Sequence, residues 1–206
     1  MIRAVIFDLS EVLIPGLIGI EDRLEELTGI SKDLIAKSLG SYPYHEQENN
    51  LEALLKGSIS YQEYRSGFME TANFPSEYEE SFDKECLKMF ESAYPHTNKM
   101  IQRVAQSCDL YLLSDHCEVW ATYIKKQHDF FRFFKGTLWS YEVSATKKSN
   151  IPFDALIKKY DLSPRECLFV DDNQINISIA GSMGFSTVHF FGEQSVHEVY
   201  RAIENT

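Results

Sequence analysis

A chain of 206 residues, 44% apolar and 25% charged, has room for one sizeable core or a core with a smaller insert. Its net charge of −11 argues against a nucleic-acid partner, which needs a cationic face; any bound phosphate must be held locally, by a metal, a lysine or backbone N–H groups. No apolar run approaches the ~20 residues of a membrane span, and the first residues lack a signal-peptide pattern. Cys86, Cys108, Cys117 and Cys167 show no CxxC spacing, which predicts reduced, mostly buried thiols in a cytoplasmic protein.

The chain begins with a short apolar run, Ile2 to Phe7, that suits a strand buried on both faces. It stops at Asp8, and Pro15-Gly16 marks a turn soon after. Ile20 to Leu27 reads as a helix closed by Gly29, and Ser31 as the cap of a second helix carrying Leu34, Ile35 and Leu39. Residues 41–50 are polar and turn-like, and Tyr42, Tyr44 and His45 there are candidates to reach a ligand. Leu51 to Leu55 makes a helical turn closed by Gly57. Ser60 and Glu63 then have capping-box spacing ahead of Tyr61, Tyr64, Phe68 and Met69. Pro75-Ser76 opens a longer helix carrying Tyr78, Phe82, Cys86, Met89, Phe90 and Ala93. These aromatic residues read as core.

From Pro95 onward the pattern alternates. Met100, Ile101, Val104 and Ala105 form a helix face, and the apolar run Leu110 to Leu113 stops at Ser114-Asp115-His116. Trp120 and Ile124 predict a helix that ends tightly at Phe130 to Phe134; Thr137 to Ser140 is a short strand, followed by a polar loop with Lys147 and Lys148. Phe153 to Tyr160 is helical, and Glu166 to Val170 is a strand that stops at Asp171-Asp172. A helix over Ile175 to Met183, a strand over Ser186 to Phe191 and a helix over Val196 to Ile203 complete the chain. Strand–helix alternation predicts a Rossmann-like α/β fold: a parallel sheet with helices on both faces. The first strand must join that sheet. The expected division is an α/β core of residues 1–16 and 95–206 and an inserted all-α cap of residues 17–94.

Ligands of open α/β sheets bind beyond the carboxyl ends of the strands. Asp8 with Ser10, Ser114 with Asp115, Lys147, and Asp171 with Asp172 all follow apolar strands or lie in the loops beside them. Each alone has a plainer reading as a helix cap or solvated charge. Together they make a constellation.

In these motifs the chain resembles the haloacid dehalogenase superfamily, made mostly of phosphatases. The family's first motif, Asp-x-Asp after a strand, is matched by FDLSEVL at Asp8, with Ser10 in place of the second Asp. LYLLSDH at Ser114, SATKKSN at Lys147 and CLFVDDNQINISIAGSMG at Asp171-Asp172 match the others. A helical cap after the first motif is also a family feature. The stretch KGSISYQEYRSGF resembles the cap of a subgroup that includes sugar-phosphate phosphatases and the phosphatase domain of epoxide hydrolases.

The resemblance implies a Mg²⁺-dependent phosphatase of small phosphorylated metabolites, working through an aspartyl-phosphate on Asp8. Asp8, the Ser10 backbone carbonyl, Asp171 and Asp172 would supply oxygens to Mg²⁺. Ser114 and Lys147 would bind the phosphoryl group and stabilise its charge, with Asp115 beside them. Backbone N–H groups after Asp8 would form an anion nest.

Three positions depart from the pattern. Ser10 cannot act as the general acid–base that the second Asp supplies, a contribution typically worth about 10²–10⁴-fold. That leaves leaving groups that need little protonation, a substitute role for neighbouring Glu11, or a slow or non-catalytic phosphate-binding protein. Asp115 stands where Asn is usual and adds a negative charge; Lys148 stands where Pro is usual. A hydrolytic dehalogenase needs no metal, so the Asp171-Asp172 pair argues against it. A receiver domain carries its acidic pair early in the chain and lacks an α insert. His116 reads as substrate-facing or as a helix start. His96, His128, His189 and His197 read as structural, and oligomeric state is not encoded in any readable pattern.

Overall fold

A computed structural model of the chain describes residues 1–40 and 50–204. The expectation for Tyr42, Tyr44 and His45 lies outside the described residues. Among the described residues, five strands form one sheet: β1 (Ala4–Phe7), β2 (Asp109–Ser114), β3 (Phe134–Trp139), β4 (Cys167–Asp171) and β5 (Ser186–His189). All are parallel, in the order β3-β2-β1-β4-β5, which puts β1 in the middle. Every residue of β1 and β4 is buried, as their unbroken apolar runs require of strands covered on both faces.

The strand period of two sorts side chains into two cores. Val5, Phe7, Leu110, Leu112, Leu168 and Val170 share one cluster with Met100, Ile101, Val104, Val196 and Val199. Those partners come from α6 (Thr97–Val104) and α11 (Val196–Glu204). Ala4, Ile6, Tyr111, Leu113, Cys167 and Phe169 share the other with Phe153, Leu156, Ile177 and Ala180. These lie on α9 (Ile151–Tyr160) and α10 (Gln174–Ser182). Two further helices, α7 (Glu118–Gln127) and the short α8 (Ser140–Val143), follow β2 and β3.

Between β1 and α6 run α1 (Ile20–Thr28), α2 (Lys32–Leu39), α3 (Asn50–Leu55), α4 (Tyr61–Thr71) and α5 (Glu79–Met89). Helix α1 packs on α2 and α5, and α4 on α2 and α3. Tyr64, Phe68, Phe82 and Phe90 are fully buried, and the Phe68 and Phe82 rings stack at 4.5 Å, so the aromatic stripe is core. The Ser60–Glu63 capping box is present: Ser60 N donates to Glu63 Oε2 at 2.7 Å and Glu63 N to Ser60 Oγ at 3.1 Å. Ser31 does hold the N-cap position of α2, but its side chain makes no capping bond.

Several boundaries differ from the sequence reading. The helix expected from Pro75 to Ala93 begins as a 3₁₀ turn at Ser76–Tyr78 and ends at Met89. The chain beyond it is drawn back to the core, where Tyr94 N donates to Leu13 O at 3.0 Å. β3 starts at Phe134, three residues early, because the last phenylalanine of the aromatic run pairs with Leu110. β5 stops at His189. The four cysteines are free and buried. No described helix is long and apolar enough to cross a membrane.

Candidate active site

The register of the sheet builds the site. Phe7 pairs with Leu112 of β2 and with Val170 of β4. Asp8, Ser114 and Asp171 therefore leave three adjacent strands on one rim, and Asp8 N donates to Val170 O at 2.8 Å. The loop after α8 brings in Lys147, which is 2% exposed, whereas its neighbour Lys148 lies at the surface. Lys147 lies in the expected loop, but Asp8 and Asp171 draw its ammonium inward out of solvent.

Lys147 Nζ lies 2.6 Å from Asp8 Oδ1 and 2.7 Å from Asp171 Oδ2. Burial alone would lower the pKa of this ammonium; Asp171, Asp8 and Asp115 outweigh it and raise the pKa above the ordinary lysine value. Asp171 is held by three donors. It accepts from Lys147, from Asn173 N at 2.8 Å and from Asn176 Nδ2 at 3.1 and 3.2 Å. Asn173 also caps α10 by accepting from Ile175 N at 2.8 Å. Carboxylate oxygens of Asp8, Asp171 and Asp172 lie within 4.8 Å of one another. Burial first, then the other carboxylates, raise the pKa of Asp171 and of Asp172.

Ser114 Oγ is buried and has no hydrogen-bond partner among the described residues. Such an orphaned hydroxyl marks a place for a polar ligand. Both Asp115 oxygens sit 3.2 Å from Lys147 N, so this carboxylate accepts from the Lys147 backbone. Burial, reinforced by Asp8 and Asp171, pushes its pKa up to about 7.

Ser10 does not stand alone. Its Oγ lies 3.0 Å from His116 Nε2, a contact between residues 106 positions apart. The His116 ring is buried edge-on among Phe90, Trp120 and Trp139, with centroids 5.5, 6.3 and 5.8 Å away. Burial first, then Lys147, push its pKa down to about 3, so the ring is neutral. The only sequence signal for this partner was its position, two residues past the Ser114 strand end.

Glu11 is not available as a substitute acid. It takes a left-handed backbone, φ 61°. Its Oε1 accepts from Gly16 N at 2.7 Å and its Oε2 from Tyr94 OH at 2.7 Å. A Cβ at Gly16 would come within 3.1 Å of that same Oε1 and 3.2 Å of the Ser10 Cβ, so a side chain there would press on both. The Glu11 carboxylate pins the loop that leaves β1. A cavity of about 510 Å³ opens beside it, lined in part by Ile18, Tyr94, His96, Asp172 and Phe191.

The haloacid dehalogenase-like hydrolase family model matches residues 2–184, and the chain belongs to that family. It is a hydrolase by family. The fold is similar to that of a HAD family enzyme from Bacteroides thetaiotaomicron in complex with magnesium and inorganic phosphate, at TM-score 0.75 and 21% identity, covering 91% of this chain and 93% of that one. A predicted HAD-like family hydrolase from Porphyromonas gingivalis matches at TM-score 0.77 and 20% identity over 100% of both chains. The L-2-haloacid dehalogenase of Xanthobacter autotrophicus, with chloropropionic acid covalently bound, matches at 0.69 and 15% identity, over 98% of this chain and 84% of that one. No curated protein sequence matches the chain.

The raised carboxylate pKa values carry a prediction. Asp171, Asp172 and Asp115 are protonated in the folded protein at pH values where the unfolded chain, near 3.9, has ionised. The folded state binds more protons, so metal-free stability should fall as pH rises from about 4 to about 7. A cation bound to the ionised cluster should remove that slope. Melting curves with chelator and with saturating Mg²⁺ should diverge as pH rises, and about 2.7 kcal/mol of stabilisation is expected at 100 times Kd. Parallel curves would exclude a cation at this cluster.

Proposed function

We propose that the protein is a Mg²⁺-dependent phosphatase of small phosphorylated metabolites that works through a phosphoryl-Asp8 intermediate. The observation that carries this reading is the carboxylate cluster of Asp8, Asp171 and Asp172, served by one buried lysine, beside an orphaned Ser114 hydroxyl. A covalently working dehalogenase needs no such excess of hard oxygen donors. A divalent cation fits this set: Asp8, Asp172 and the Ser10 backbone carbonyl would hold it directly, with Asp171, already hydrogen-bonded to Lys147, Asn173 and Asn176, acting through a bound water. Bound there, the cation would supply charge neutralisation of the phosphoryl group.

The chain's own residues do the rest. Lys147 neutralises Asp8 and orients its carboxylate for attack on phosphorus. Ser114 donates its free hydroxyl to a phosphoryl oxygen. Asp115 holds the Lys147 loop by its backbone N–H and tunes the charge beside the phosphate. Helices α1 to α5 act as the cap over the rim, anchored where Ser140 Oγ donates to Leu55 O at 2.6 Å and Lys148 pairs with Glu52 at 3.1 Å. The segment around α4 makes sugar phosphates the first substrate class to assay. A cytoplasmic location goes with such metabolites.

Hydrolysis of a panel of phosphate monoesters, with Mg²⁺ and with chelator, tests the reading. Phosphate release that needs Mg²⁺ is the expected result. Halide release from a 2-haloacid without metal would overturn it, and phosphate binding without any turnover would assign a binding role instead.

A further inference from the structure

The Ser10–His116 pair has a consequence for substrate choice, resting on the phosphatase reading above. His116 Nδ1 is buried and unpartnered among the described residues. If Nδ1 carried the ring proton, a buried N–H would be left without an acceptor; if Nε2 carries it, only a lone pair is left unused. Unsatisfied buried donors are the rarer and costlier case. Whatever its charge, the ring therefore carries a proton on Nε2. It donates to Ser10 Oγ at 3.0 Å, so the Ser10 hydroxyl accepts from the ring and its own proton is directed elsewhere.

We infer that His116 is a positioning residue that locks Ser10 as a hydrogen-bond donor to the leaving oxygen, and that the substrates are phosphates whose leaving group departs as an anion. That class comprises acyl phosphates, aryl phosphates and, to a lesser degree, anomeric sugar phosphates, whose leaving oxygen is a hemiacetal.

The chemistry balances without a proton donor. The Asp8 carboxylate forms a bond to phosphorus, the bond from phosphorus to the ester oxygen breaks, and the electron pair leaves on that oxygen. Ser10 stabilises the anion by a hydrogen bond and keeps its proton; solvent protonates the product later. Water then attacks phosphoryl-Asp8, Asp8 leaves as carboxylate, and both water protons stay on the phosphate product. Among the described residues, Asp172 belongs to the proposed metal set and the two other carboxylates beside Ser10 and Lys147 are held. Glu11 is held by Gly16 and Tyr94, and Asp115 accepts from the Lys147 backbone.

The test is kcat/KM with Mg²⁺ across an acyl phosphate, a series of aryl phosphates and an alkyl phosphate. A spread of about 10³-fold or more from acyl to alkyl is expected, since the missing acid is worth about 10²–10⁴-fold. Ser10→Ala and His116→Phe should each lower kcat/KM for an aryl phosphate by on the order of 10²-fold, the scale of one lost transition-state donor. The double variant should fall no further. His116→Gln, which keeps an N–H donor, should recover part of the loss, and inhibition by inorganic phosphate should stay unchanged. A flat leaving-group series in the wild type would overturn the inference while leaving the phosphatase reading intact. So would additive losses, or a flat series made steep by Asp115→Asn, which would make Asp115 the acid. No hydrolysis of any ester would overturn both readings.

Discussion

Asp8→Asn should lower phosphate-ester hydrolysis by about 10⁴-fold or more, the scale on which loss of a covalent nucleophile is felt. An amide of the same shape is a poor nucleophile and a poor metal ligand, so both proposed roles of Asp8 go together. The fold should survive. Asp8 lies beyond the last paired residue of β1, and its backbone N–H bond to Val170 does not depend on the side chain. Removing its charge also relieves Asp171 and Asp172, whose pKa values it helps to raise. Metal-free Asp8→Asn should therefore melt no lower than wild type at pH 8. Steady-state rates and thermal melts on the same preparation check both statements. Activity within tenfold of wild type would exclude Asp8 as nucleophile.

Lys147→Met should be the most destabilising single change at the site. The substitution keeps most of the length of a buried chain and removes the ammonium with its charge and its N–H donors. Asp8 at 2.6 Å and Asp171 at 2.7 Å would then face each other with no cation between them. Breaking a buried pair by removing one partner typically costs about 3–5 kcal/mol. For a chain of this size that is a fall in Tm of about 10 °C. The sign with pH follows from Asp171 and Asp115: Lys147 holds down their raised pKa values, which would rise further without it, so the loss should be smallest near pH 4 and grow toward pH 8. Saturating Mg²⁺ should return part of the stability, yet activity should remain at least about 10²-fold down, because the bridging charge is still missing. Calorimetry at two pH values, with and without Mg²⁺, separates these effects. A Tm that is unchanged across that range would show that Lys147 does not neutralise the cluster.

Much of this architecture can be read from local chemistry. The run Ala4–Phe7 and the run Cys167–Val170 are apolar at every position, and only a sheet covered on both faces buries both sides of such strands. Once the strands are parallel, the residues after them share a rim, which is why the sequence alone groups Asp8, Ser114 and Asp171. What escaped is what tertiary contacts decide. The motif singles out Lys147 over the adjacent Lys148, but the depth at which Lys147 is buried between two carboxylates, while Lys148 pairs with Glu52 near the surface, is set by the fold. The strand β3 begins inside an aromatic run because Phe134 finds Leu110 as a partner. Glu11 looked like a replacement acid by proximity, whereas its left-handed backbone and its bonds to Gly16 and Tyr94 make it a loop anchor. The contact of Ser10 with His116 spans 106 positions, and no short-range pattern encodes it.

The most direct test of the account is the covalent state of Asp8 during turnover. Wild-type protein mixed with an acyl or aryl phosphate and Mg²⁺, then quenched rapidly in acid, should carry one phosphoryl group on the peptide that contains Asp8. The same peptide from Asp8→Asn should carry none. Turnover without phosphoryl on that peptide, or with the phosphoryl group on another residue, would contradict the mechanism.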